Sequence, residues 1–162
     1  MRYDTSKNSA LTEHQMSSYQ IIVGSMLGNT EYIAEAAQTV LEELGHQTNI
    51  HFQPVFEQIE KKNQKWLLCT STHGAGDFPE NIENFIHDLN GSDINLDDLP
   101  FLVIAVGDTS YDTFCQAGKS LYNMMLNKNA KAINEIFTID MINIDDPELA
   151  ADQFMRSISD QL

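Results

Sequence analysis

Short apolar runs alternate with amphipathic segments along most of this chain. Three continuous runs, at residues 20–23, 66–70 and 101–106, are typical of parallel strands that are covered on both faces. Two weaker segments predict a second strand at residues 47–52, with alternating polar and apolar positions, and a fifth strand at residues 132–139. The pattern therefore predicts five strands.

Helical periodicity fills the gaps between these strands. Apolar residues recur at three- and four-residue spacing, which is typical of helices that bury one face. The expected buried faces are Ile33, Ala37, Val40, Leu41 and Leu44; then Ile82, Phe85, Ile86 and Leu89; then Ala117, Leu121, Met124 and Met125; and last Ala150, Phe154, Ile158 and Leu162. This alternation predicts an α/β fold, a doubly wound five-stranded parallel sheet with helices on both faces. Of the doubly wound orders, we expect 2-1-3-4-5.

Three polar, glycine-bearing loops follow the first, third and fourth predicted strands, at residues 24–30, 71–77 and 107–115. In the predicted strand order these loops are neighbours at the carboxyl edge of the sheet. Ligands of doubly wound sheets bind at that edge, where the strand order reverses. The three loops therefore predict one shared ligand site.

The first loop leads from a strand into a helix, so it presents unpaired backbone N–H groups and the positive end of a helix dipole. Ser25, Asn29 and Thr30 add side-chain donors, and Gly28 permits close approach. The loop lacks the Gly-Lys-Ser/Thr of a nucleoside triphosphatase and the three glycines of a dinucleotide fold. It favours a monophosphate held by neutral donors. An ordinary turn with Asn29 or Thr30 as the helix cap is the alternative.

Charge narrows the class of partner. The 162 residues carry 24 acidic and 9 basic side chains, a formal net charge of −15. Such a surface repels nucleic acid and favours a basic protein partner. A strongly charged surface speeds and orients encounters, which suits a protein that docks transiently. The alternative is that the acidic charge serves only to keep the protein soluble.

The two cysteines and the lengths of the apolar segments indicate the cellular compartment. Cys69 and Cys115 form no CxxC pair, which favours a reducing, cytoplasmic protein. No apolar stretch is long enough to span a bilayer, so no membrane association is expected.

Residues 1–18 are polar and without periodicity, so we expect a mobile tail before a single domain at residues 19–162. The histidines show no metal-ligand spacing with the cysteines, so no metal site is predicted.

The second and third loops resemble those of a known family. Ser-Thr-His-Gly-Ala-Gly-Asp at residues 71–77 and Gly-Asp-Thr-Ser-Tyr-Asp-Thr-Phe-Cys at residues 107–115 are similar to the loops of flavodoxins, particularly the short-chain MioC type, from residue 20 to residue 162. The third loop is also similar to the FMN domain of sulfite reductase flavoproteins. The resemblance implies an FMN-binding electron carrier between a flavodoxin reductase-type donor and an acceptor enzyme with a basic docking face. A monomer without a catalytic residue of its own is expected.

The resemblance also implies which residues contact FMN. The phosphate would lie on Ser25, Met26, Leu27, Gly28, Asn29 and Thr30. The flavin ring would lie between Ser71, Thr72, His73, Gly74, Ala75 and Gly76 on one side and Gly107, Asp108, Thr109, Ser110, Tyr111, Phe114 and Cys115 on the other. Tyr111 offers an aromatic face for stacking. Met26 and Leu27 stand where related chains often carry hydroxyls, so phosphate binding would depend more on backbone amides. Acidic residues around the flavin would disfavour its anionic, fully reduced form. We therefore expect a low potential for the second one-electron reduction.

Three alternative functions remain open from the sequence. A small FMN-dependent reductase would need substrate space over the flavin and a nicotinamide site, and no nicotinamide site is evident. A flavodoxin-like protein without flavin could serve as an interaction module. A phosphorylation receiver is disfavoured, because the ends of the first, third and fifth predicted strands lack the required acidic, aspartate and lysine residues.

Overall fold

The computed structural model describes residues 16–26 and 28–162. Strands and helices alternate along it, with single 3-10 turns at Phe56–Gln58, Glu80–Ile82 and Ser159–Gln161. In chain order the elements are β1 (Ser18–Gly24), α1 (Asn29–Glu43), β2 (Gln47–His51), β3 (Lys65–Ser71), α2 (Glu83–Gly91), β4 (Pro100–Gly107), α3 (Gln116–Asn127), β5 (Lys131–Ala132), β6 (Phe137–Asp140) and α4 (Pro147–Ser157).

The strands form one parallel sheet. Its order is β2-β1-β3-β4-β5, and β6 also pairs with β4. The predicted α/β class and strand order are therefore confirmed. Because all strands run the same way, the ends of β1, β3 and β4 meet at one edge, beside the point where the order reverses.

The prediction of a single fifth strand at residues 132–139 is wrong. Two short segments replace it: β5 pairs with the start of β4, and β6 pairs with its end. Ala132 pairs with Phe101, and Phe137 pairs with Ile104. Two residues of β4 therefore lie opposite four residues of the edge segment, 133–136. The two extra residues interrupt the ladder, as in a bulge.

The sheet separates two apolar layers. Side chains of a strand alternate between faces, so Ile21 and Val23 pack with α1 and α4, whereas Ile22 packs with α2 and α3. Trp66, in β3, belongs to the second layer and is fully buried. Its indole N–H donates to the Glu60 carbonyl oxygen at 3.0 Å, which satisfies the one polar atom of the side chain.

Most of the predicted helix faces are correct. All four residues expected for α2 are buried. Leu44 is wrong, because α1 ends at Glu43 and leaves that side chain 39% exposed. In α4 the expected Ala150 and Phe154 are only half-buried, and Ala151 and Met155 fill the core instead. Met124 of α3 is likewise half-buried.

At the amino edge of the sheet, the fold begins earlier than the predicted boundary. Ser18 is the first residue of β1, and the Ser17 N–H donates to Nδ1 of buried His46 at 2.9 Å. Residues 1–15 of the expected tail lie outside the described residues. None of the helices in the described part of the chain has the length and apolar character needed to cross a bilayer.

Candidate functional site

An open cavity of about 470 Å³ lies at the carboxyl edge of the sheet, where the three loops meet. Its wall is formed by Ser25, Met26, Asn29, Thr30, Ser71, Thr72, His73, Gly74, Val106, Gly107, Asp108, Tyr111, Thr113, Cys115 and Met141. Twelve of these are residues expected at the site, and Val106, Thr113 and Met141 are additions. Six expected residues do not line the cavity: Gly28, Ala75, Gly76, Thr109, Ser110 and Phe114. Leu27 lies outside the described residues.

The first loop ends at the amino terminus of α1. Gly28 occupies the cap position with φ of 88°, and no side chain of a described residue caps the helix. The alternative in which Asn29 or Thr30 is the cap is therefore wrong, since the helix already begins at Asn29. Without a side-chain acceptor, the first-turn N–H groups of α1 are left for a ligand or water.

The Ser25 hydroxyl is positioned to donate a hydrogen bond to an anion. Its Oγ accepts a hydrogen bond from the Gly28 N–H at 3.2 Å, so the loop folds back on its own hydroxyl. Because that bond uses an acceptor position, the hydroxyl hydrogen is left for a second partner. The Ser25 N–H is itself engaged, donating to Oδ1 of Asn81 at 2.9 Å.

The second loop is a tight turn. The backbones of His73 and Asp77 exchange two hydrogen bonds, at 2.7 and 2.8 Å. Gly74 and Gly76, between them, have φ of 52° and 102°, in the left-handed region that favours glycine. The His73 side chain is exposed. The base of the loop is tied to α3, because Thr72 Oγ1 accepts from the Ala117 N–H at 3.1 Å.

Ser71, the last residue of β3, carries a buried hydroxyl in the cavity wall. Within the described residues, its Oγ has no hydrogen-bond partner. A buried polar atom without a partner is costly, and most such atoms find one in folded proteins. Because Ser71 lies in the cavity wall, its hydroxyl is left for a ligand or water in the cavity.

The third loop is ordered by two carboxylates. Asp108 Oδ1 accepts from the Ser110 N–H at 2.8 Å and from the Ser110 hydroxyl. Asp140, at the end of β6, accepts from the backbone and side chain of Thr109. The hydrogen bond from the Thr109 hydroxyl is the main reason that the pKa of Asp140 lies below its ordinary value. Tyr111 stands out from this loop, 66% exposed.

Cys115 and Phe114 have structural roles at the end of the loop. The Cys115 thiol is buried and donates to the Ala105 carbonyl oxygen at 3.4 Å. Burial raises its pKa to about 11, so it remains a protonated and unreactive thiol at neutral pH. The Phe114 ring packs against the core layer that contains α2 and α3.

The cavity has an acidic surround and neutral donors. Asp77, Asp108, Asp112 and Asp140 lie in or beside the loops, and within residues 16–26 and 28–162 no lysine or arginine lines the cavity wall. An anion bound here would be held by hydroxyl and N–H groups and not by a cationic side chain. This arrangement agrees with the monophosphate expected from the first loop.

Two residues that organise the site were missed from the sequence. The sequence could have identified Asp140 as a site residue, because it ends a strand at the carboxyl edge of the sheet, where ligands bind. No such signal marked Asn81, because its partners are distant in the chain and lie in three other segments.

Comparisons with known proteins point to one family. The family model described as Flavodoxin matches residues 21–154. The chain is 39% identical over 142 residues to the MioC homolog of Pasteurella multocida, covering 88% of this chain and 96% of that protein. It is 35% identical over 129 residues to the sulfite reductase [NADPH] flavoprotein alpha-component of Bacillus subtilis, covering 78% of this chain and 21% of that protein. The solved structure of a cysteine-to-serine mutant of flavodoxin from Pseudomonas aeruginosa superposes with a TM-score of 0.83, at 24% identity and with 90% and 98% of the two chains covered.

Proposed function

Because this chain belongs to the flavodoxin family, we propose that it carries electrons from a reductase to an acceptor protein through bound FMN. The observation that carries the proposal is the cavity itself. Three loops from separate parts of the chain meet there, and they combine neutral hydrogen-bond donors for an anion with an exposed aromatic ring. They also include the Ser71 hydroxyl, which has no partner within the part of the chain that the structure describes.

The residues present fit FMN. The phosphate would be held by the Ser25 hydroxyl and by the first-turn N–H groups at Asn29 and Thr30, which suits a dianion in a loop without lysine. The ring would lie towards Tyr111 and the backbone of Asp108. Ser71 Oγ would gain the partner that it otherwise lacks.

FMN supplies the electron chemistry when bound, and the protein supplies binding, orientation and electrostatics. The side chains in the wall bind and orient the cofactor and exclude water from one side of it. The surrounding carboxylates disfavour additional negative charge in the cavity, so they should lower the potential of any step that leaves the ring anionic. None of these roles requires a side chain that acts as an acid, a base or a nucleophile.

The proposed partners are a flavodoxin reductase-type donor and an acceptor enzyme, each docking through a basic face. The formal net charge of −15, with Asp77 in the second loop and Asp108 and Asp112 in the third, supports this choice. Opposite charge accelerates and orients encounters, which suits a carrier that must dock and leave. A cytoplasmic monomer is part of the proposal, and the two free thiols, Cys69 and Cys115, agree with a reducing compartment.

The test begins with FMN. Apo protein titrated with FMN should quench flavin fluorescence, and the loaded protein should pass electrons from NADPH and a flavodoxin reductase to cytochrome c, which is basic. The rate should fall as salt is added, since screening weakens the attraction between exposed charges. A redox titration should place the potential for the anionic reduced ring below that of free FMN.

Two results would contradict the proposal. NADPH oxidation by the loaded protein alone, with a quinone as acceptor, would show a small FMN-dependent reductase. A colourless protein that fails to quench FMN fluorescence at micromolar concentration would show a flavin-free interaction module.

A further inference from the structure

Asn81 joins three segments of backbone behind the anion loop, residues 24–30. Its Nδ2 donates to the carbonyl oxygen of Val23 at 2.7 Å and to that of Phe52 at 2.9 Å, while its Oδ1 accepts from the Ser25 N–H at 2.9 Å. The partners fix the orientation of the amide, because two carbonyl oxygens require the NH₂ group and an N–H requires the oxygen. The side chain therefore links the end of β1, the segment after β2 and the first part of the anion loop.

This link determines the direction in which the anion loop leaves β1. The Ser25 N–H is directed to Asn81, and the Ser25 hydroxyl is bonded to Gly28 on the loop itself. Beside it, Gly24 lies so close to Thr70 that an added Cβ would be 2.4 Å from its Oγ1. The start of the loop is thus held by Asn81 and β3 before any ligand arrives.

Asn81 itself does not line the cavity. It therefore acts through the residues that it holds and does not touch the ligand. Its partners lie at the end of β1, after β2 and in the anion loop, and none belongs to the second or third loop, on which the ring would lie. A loop that is already in its binding shape avoids the cost of being ordered on binding.

We propose that Asn81 is a positioning residue for the phosphate of FMN, which it favours by holding the anion loop in its binding shape. This inference rests on the proposed function, since it concerns the same ligand. It differs from a general role in stability in one measurable respect. Loss of Asn81 should weaken the binding of ligands that carry the phosphate and should leave the binding of ligands without it nearly unchanged.

Riboflavin provides the comparison, because it has the ring and the ribityl chain of FMN without the phosphate. Dissociation constants for FMN and riboflavin would be measured by fluorescence quenching with wild-type protein, Asn81→Ala and Asn84→Ala. Asn84 is an exposed asparagine on α2, three residues further along the chain, and it serves as the matched control. Thermal unfolding of each apo protein would report its folding.

We expect Asn81→Ala to weaken FMN binding about tenfold or more and riboflavin binding by less than about twofold. Asn84→Ala should change neither constant. If Asn81→Ala does not fold, Asn81→Ser, which retains a short polar group, should show the same selective loss to a smaller extent.

An equal loss for FMN and riboflavin would overturn the inference and make Asn81 a support of the fold alone. An unchanged FMN constant in a folded Asn81→Ala protein would overturn it as well. Failure of the wild-type protein to bind FMN would overturn the proposed function, and the inference with it, so the two failures are distinguishable.

Discussion

Asp140 accepts two hydrogen bonds from Thr109, from the backbone N–H at 3.1 Å and from the hydroxyl at 2.6 Å. The Ile142 N–H at 3.2 Å and the Asn143 side-chain amide donate to the same carboxylate. One side chain at the end of β6 thereby connects the third loop to the segment that precedes α4. The loop proposed to hold the flavin ring is anchored on the outermost strand of the sheet.

Replacing Asp140 by alanine should weaken FMN binding severalfold, because the third loop loses its connection to β6. Binding of riboflavin should weaken by a similar factor, since this loop lies on the ring side of the proposed site. Fluorescence titration of both ligands would measure the two losses. Asp160→Ala, at an exposed position in the last 3-10 turn, is the control and should bind as the wild-type protein does. Full affinity in the Asp140 variant would show that the loop holds its shape without the carboxylate.

Replacing Ser71 by alanine should weaken FMN binding without destabilising the apo protein. The change removes a buried hydroxyl that has no partner among the described residues, so the melting temperature of the apo protein should stay the same or rise. Affinity for FMN should fall severalfold, because the ligand loses a hydrogen bond. Calorimetry of the apo form and titration with FMN measure the two effects. A destabilised apo protein would mean that the hydroxyl already has a partner.

Acid should destabilise the amino edge of the sheet through His46. Burial, and then the positive charge of Lys65, lower the pKa of His46, whose Nδ1 already accepts from the Ser17 N–H. The unfolded chain takes up the proton more readily, so this contribution to stability is present above about pH 6.5 and is lost as the pH falls through the lower folded value. Burial lowers the pKa of His51 in the same direction.

His46→Asn keeps an acceptor near Nδ1 and removes the titration. Its melting temperature should therefore fall less than that of the wild-type protein between pH 8 and about pH 5. His87→Asn, at an exposed position on α2, should retain the wild-type pH dependence. Identical slopes for the His46 variant and the wild-type protein would contradict this account.

The contact between α3 and β4 should tolerate no added methyl group. An added Cβ at Gly118 would lie 2.3 Å from the Cβ of Ala105, a buried residue in the centre of the sheet. Gly118→Ala should therefore lower the free energy of unfolding by about 1–3 kcal/mol, the usual cost of overpacking. Gly91→Ala, at the end of α2 with open space around it, should cause no loss. Urea denaturation of the two variants makes the comparison.

The sequence was sufficient to predict features that depend on local pattern. The continuous apolar runs identified β1, β3 and β4, and the polar glycine-bearing loops after them identified the edge where the cavity lies. The second predicted helix was correct at all four buried positions because its apolar spacing admits one face only. Alternation of strands with helices then indicated a parallel sheet covered by helices.

The remaining features depend on contacts that pattern does not encode. The split between β5 and β6 follows from the register of residues 131–140 against β4, and an apolar run looks the same with or without a two-residue interruption. In α4, both Ala150 and Ala151 suit an apolar face, and the packing of α4 against α1 decides between them. The role of Asn81 depends on hydrogen bonds across 29, 56 and 58 positions of the chain.

The interrupted edge of the sheet also bears on how copies of this chain meet at high concentration. A long, straight edge strand presents unpaired backbone groups that can recruit a strand from another molecule. Here one outer edge consists of a two-residue and a four-residue segment whose registers against β4 differ by two residues, and the other is the short, largely polar β2. In the described part of the chain, neither edge is a long, straight template for intermolecular β-pairing. The short and interrupted edge strands should therefore resist amyloid-like growth and strand exchange.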